Sequence, residues 1–107
     1  MIYKFKSKSA GDVIMLGPNG DQMLRLIGRE PAPKGIIESA AMPAAIQALE
    51  SAVADEEATR ERAGQEAAAK GEPAPKAEGV SLRQRVWPVV DMMKRSHAQG
   101  HDIVWGV

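Results

Sequence analysis

The chain has no cysteine. Disulfides, thiolate nucleophiles and any zinc or iron–sulfur site that depends on sulfur are excluded with it. A reducing compartment fits that absence. Aromatic side chains are limited to Tyr3, Phe5, Trp87 and Trp105, too few for a platform on which successive bases could stack. Charge of one sign is missing as well. Lys+Arg and Asp+Glu stand at 14 each, for a formal net charge of zero, without the cationic excess that neutralises phosphates. No nucleic-acid partner is expected. No window approaches the ~20 apolar residues of a membrane span. The opening Met-Ile-Tyr-Lys-Phe-Lys-Ser-Lys interleaves charges where a signal peptide needs an apolar stretch. The expected location is the cytoplasm, with no membrane contact.

What is present suffices for one modest core. The chain has 107 residues, 44% of them hydrophobic, which suits a single domain rather than a disordered chain. Residues 2–8 alternate, with Tyr3 and Phe5 on one face and Lys4, Lys6 and Lys8 on the other. That period predicts a half-buried strand, and its lysines suit a sheet edge. Ala10-Gly11-Asp12 reads as a turn, and Val13–Leu16 as a more buried strand antiparallel to the first. Gly17-Pro18-Asn19-Gly20 is a strong turn signal. Residues 21–27 then fit either a helix presenting Met23, Leu24 and Ile27 or the return arm of a hairpin. Their Leu, Met, Arg and Gln content favours the helix.

A short strand is expected at 35–38. Met42, Ile46, Leu49 and Val53, with Ala45 and Ala52 beside them, make the apolar stripe of a helix whose first turn holds Pro43. That helix has a soft end, because Asp55–Arg62 is charged all round. From about 64 to 79 there is no large apolar residue, so a mobile Ala/Glu/Pro-rich linker is expected. Ser81 and Gln84 form a possible capping box for the last helix. Leu82, Val86, Val89 or Val90, and Met93 are its stripe, Pro88 should kink or divide it, and Gly100 should cap it. Ile103–Val107 reads as a strand inside the sheet. The fold class is α+β: a small two-layer sandwich with helices on one face of the sheet, in the order β-β-α-β-α-linker-α-β.

The stretches MIYKFKSKSAGDVIMLGPNGDQMLRLIG, PAPKGII, AMPAAIQALE and VSLRQRVWPVVDMMKRS, with the end DIVWGV, resemble a small family of proteobacterial proteins described only as a domain of unknown function. The resemblance spans nearly the whole chain apart from the Ala/Glu-rich linker. It implies a free-standing domain and carries no activity, ligand or catalytic residue to transfer.

Few constellations could carry chemistry. His97 and His101 have the spacing of two ligands on one helix face, and Asp102 follows directly, so a metal set of His97, His101 and Asp102 can be drawn. Against it, Gly100 should end the helix before His101, and a histidine at a helix C-terminus already has an electrostatic reason to be there. Gly17, Asn19 and Gly20 could present backbone N–H groups to an anion, and with His97 and His101 they form a candidate ligand site. A plain turn explains the same residues, and no phosphate-loop or dinucleotide spacing accompanies them. Ser96 beside His97, and the solvated Asp55-Glu56-Glu57, give nucleophilic or acid–base catalysis little to work with. Trp87 and Trp105 invite a binding-surface reading, but in a core short of aromatics both are more simply its largest fillers. Lys4 and Lys6 could meet an acidic partner or simply water. The expectation is a non-enzymatic protein-interaction or adaptor domain, with a homodimer plausible and no cofactor. The alternative is a small-ligand or metal-binding domain using the 17–20 turn and the 97–102 segment.

Overall fold

Period-two alternation lays Tyr3 and Phe5 on one side of the first strand, β1 (Ile2–Ser7), and both are buried. Its neighbour β2 (Ala10–Leu16) runs antiparallel, with Tyr3 opposite Met15 and Phe5 opposite Val13. The computed structural model describes residues 2–73 and 81–107. Two further short strands, β3 (Gly35–Ile37) and β4 (Ile103–Trp105), complete a four-stranded antiparallel sheet in the order β2-β1-β4-β3.

Three helices cover one face: α1 (Gly17–Leu26), α2 (Met42–Ala69) and α3 (Leu82–Gln99). A 3₁₀ turn, Ser39–Ala41, leads into α2. One apolar cluster joins Tyr3, Phe5 and Trp105 of the sheet to Met23 of α1, Leu49 of α2 and Val89 of α3. Phe5 lies in its middle, stacked 5.7 Å from Tyr3 and edge-on 5.6 Å from Trp105.

Several expectations change. The hairpin turns at Lys8-Ser9, not at Ala10-Gly11-Asp12. Gly11 and Asp12 both oppose Lys6, so they form a β-bulge, where a glycine is easily accommodated. The edge strand is β2, while the lysine-bearing β1 is internal. The lysines mark a solvated face, which alternation does not distinguish from an edge. The apolar run of β2 is accordingly not buried on both sides, since Ile14 is 65% exposed.

The Gly17–Gly20 turn is itself the first turn of α1, which settles helix over hairpin for 21–26. Pro18 is compatible with that first turn. A Cβ at Gly20 would lie 2.1 Å from the Tyr3 ring, so only glycine lets α1 approach β1 this closely. Of the predicted α2 stripe, Met42, Leu49 and Val53 are buried and Ile46 is half-buried, with Ala45 buried beside them. The helix continues through 64–69, the first part of the expected linker, and ends where Gly71 turns left-handed at φ +70°. Residues 74–79 of that linker lie outside the described residues. Ser81 and Gln84 do form a capping box on α3, and the helix passes through Pro88 without dividing.

Candidate functional site

The C-terminal turn of α3 decides where the two histidines go. Gly100 takes φ 70°, the Gly100 N–H donates to the His97 carbonyl at 3.1 Å, and the His101 N–H donates to the Ser96 carbonyl at 2.8 Å. This double closure turns the chain off the helix axis before His101. His97 remains on the helix, with Nδ1 3.0 Å from the Ser39 carbonyl oxygen. Asp102 holds the same 3₁₀ turn from the other side, its carboxylate accepting from the Ser39 N–H at 2.8 Å. His101 instead points to the β1–β2 turn, where Nδ1 lies 2.5 Å from Ser9 Oγ. His97 and Asp102 are therefore brought together at the Ser39 backbone, while His101 points away from both, to Ser9. Among the described residues, no group of three or more His, Asp or Glu side chains is placed to share a metal ion.

Beside His101 is an open hollow of about 570 Å³, lined by Lys6, Ser7, Lys8, His101, Asp102 and Val104. Ser9 and His101 make a hydroxyl–imidazole pair at its rim. Ser9 Oγ also reaches Gln99 Oε1 at 3.2 Å, so its single hydrogen serves either the amide or the imidazole. A serine nucleophile needs a base oriented by a third group. The His101 ring is held only through Nδ1 among the described residues. Sequence reasoning missed Ser9, because the hairpin meets the start of β4 only through a sheet order that no local pattern announces. Close by, Ser7 Oγ and the fully buried Ser96 Oγ lie 2.7 Å apart, tying β1 to α3.

Gly17, Asn19 and Gly20 are at the opposite end of the hairpin. Leu16 pairs with Ile2, whereas the Lys8-Ser9 turn follows Ser7, some ~17 Å farther along an extended strand. The 17–20 and 97–102 segments do not meet. Asn19 faces α3 instead, accepting from the Arg85 guanidinium at 3.4 Å. Tyr3 donates its hydroxyl hydrogen to the Asp21 carboxylate in the same region. Burial first, and then this bond, push its pKa up to about 12.

The aromatic and lysine candidates separate too. Trp105 is buried, and its Nε1–H donates to the Ala32 carbonyl at 2.9 Å. Trp87, expected as a core filler, is 44% exposed. Val86, Val89 and Val90 fill the sheet-facing side of α3 and leave Trp87 on its outer side. There the Arg83 and Lys94 cations lie 5.6 and 5.3 Å from its ring. Lys4 and Lys6 are on the far side of the protein, on the outer face of the sheet, where Lys4 pairs with Asp12 at 3.5 Å.

That outer face has the strongest unexplained feature. Ile2, Ile14 and Leu16 are 65%, 65% and 62% exposed. The pairing Ile2–Leu16 with Lys4–Ile14 places them in one cluster on neighbouring strands. Val104 and Ile36 continue the face across β4 and β3, with Lys6 opposite Val104. Among the described residues, no helix is long and apolar enough to cross a membrane.

Comparison with curated proteins and with solved structures found no match. Residues 1–105 match a family model, and the chain belongs to that family, described as Domain of unknown function (DUF1840).

Proposed function

We propose that the protein is a non-enzymatic interaction module that self-associates through the outer face of its sheet. The observation that carries this reading is the cluster of Ile2, Ile14 and Leu16, each more than 60% exposed on adjacent paired strands. Apolar groups scattered singly need no explanation, whereas a contiguous group on a flat sheet is what sheet-on-sheet packing uses. A second copy suits this face because Lys4 beside the cluster is already paired with Asp12 and the chain's formal net charge is zero, which limits repulsion between two copies. The cysteine-free composition supports a cytoplasmic setting. Sedimentation equilibrium over a wide concentration range tests the reading. A reversible dimer that Ile14→Lys converts to monomer is the expected result, and a wild-type monomer at every concentration overturns it.

The hollow at His101 favours a second reading, a site for a small anion. Lys6 and Lys8 line it beside His101, with Asp102 as the one acidic lining residue already engaged by the Ser39 N–H. Titration with inorganic phosphate, followed through the His101 ring signals, tests that reading.

A further inference from the structure

Strand β2 ends the sheet, so alternate residues along it turn their N–H and C=O groups away from β1, toward no strand. Beside this free edge runs the first half of α3. The two enclose a groove of about 440 Å³, walled by Val13, Met15 and Leu16 on one side and Gln84, Arg85 and Pro88 on the other. Three features along it bear on binding. The strand edge is the first. Pro88 supplies the second: it has no N–H, so the Gln84 carbonyl lacks the donor that a helix normally provides four residues on. Arg85 is the third. Its Nε is buried without a hydrogen-bond partner among the described residues, where its side chain makes one bond, the long one to Asn19 at 3.4 Å. None of the ion pairs among the described residues includes Arg85. Asp12 lines the same groove, where its carboxylate is engaged by Lys4 at 3.5 Å. With Asp12 held by Lys4, the guanidinium of Arg85 bonds only the Asn19 amide oxygen among the described residues, and an incoming carboxylate would pair with it more strongly.

We propose that this groove binds an extended acidic peptide segment of a partner protein, added as a fifth strand along β2 with an Asp or Glu carboxylate on Arg85. Strand addition supplies main-chain hydrogen bonds, and alternate side chains supply the specificity. Side chains on one side of the added strand enter the groove beside Val13, Met15 and Arg85. Those on the other side lie next to Ile14 and Leu16 on the outer face. The recognised pattern is therefore acidic residues alternating with β-branched apolar ones. Self-association through the face of the sheet leaves this edge open, so this proposal stands apart from the dimer reading.

The test uses the full chain and a blocked peptide, as long as β2, alternating valine and glutamate. Calorimetry should give saturable binding, and amide NMR shifts should concentrate on residues 10–16 and on the Arg85 side chain. Arg85→Gln should weaken binding by at least about tenfold, as expected for loss of a charge-assisted pair. Two further arms leave the protein unaltered: the valine–lysine counterpart, and the valine–glutamate peptide with alternate backbone nitrogens methylated. Both should bind at least about tenfold more weakly. Absence of binding overturns the proposal. So does equal binding of the lysine or methylated peptide, or a response confined to Ile2, Ile36 and Val104.

Discussion

Strands β1 and β2 carry apolar side chains on both faces, Tyr3, Phe5 and Met15 on one and Ile2, Ile14 and Leu16 on the other, and the two faces have opposite fates. Toward the helices, Tyr3, Phe5 and Met15 are at most 5% exposed, while one residue away Ile2, Ile14 and Leu16 exceed 60%. Hydrophobicity does not separate these sets. What separates them is the register, which sends successive side chains to opposite faces, together with the position of three helices on one face only. The inner set sustains the fold. The outer set does little for a lone chain and is available to another surface.

The comparison breaks first at Phe5. Phe5→Ala empties a site between Tyr3 and Trp105 and should cost about 3–5 kcal/mol, a large share of the ~5–15 kcal/mol that holds a small domain together. Urea unfolding followed by circular dichroism measures it. On the outer face, Ile14→Thr should change the monomer's stability by no more than about 0.5 kcal/mol. A large loss there would mean that the outer face is part of the folding core after all.

A smaller effect sharpens the inner side. Gly20→Ala places a methyl group against the Tyr3 ring and should cost about 1–3 kcal/mol through overpacking. Gly28→Ala, with nothing within 4 Å of its Cβ but a φ of +81°, separates backbone strain from crowding at the other end of α1. Thermal unfolding of the two variants distinguishes the causes.

How much of this was legible follows from the range of each signal. Capping at Ser81, the Gly100 stop and the stripe of α2 depend on residues within two turns, and all are where the sequence puts them. The lysines of β1 and the apolar run of β2 were each readable as strand, but edge or interior depends on partners far along the chain. The same holds for Trp87: the period of α3 allowed it near the core, and the valines at 86, 89 and 90 took that side. His97 and His101 diverge because one glycine redirects the chain between them, and Gly100 signalled that break. The pairing of Ser9 with His101, like the groove between β2 and Arg85, joins segments far apart in sequence and has no local signature.

A further effect is at the alkaline end, where Tyr3 ties the inner face to α1. Its hydroxyl is buried and donates to Asp21, so the fold favours the protonated phenol and the pKa rises from 10.0 to about 12. The folded state therefore holds this proton more tightly than the unfolded chain does. The associated stability is fully present below the unfolded value near ~10 and is lost as pH rises toward the folded value. Phenolate absorbance in the native protein should accordingly begin to develop only well above pH ~10, while urea midpoints fall across the same window. Tyr3→Phe removes the only phenol in the chain and should flatten that part of the decline. If the native phenol titrates like a free one, the inner face is wetter at its β1 end than the packing of Gly20 against Tyr3 implies.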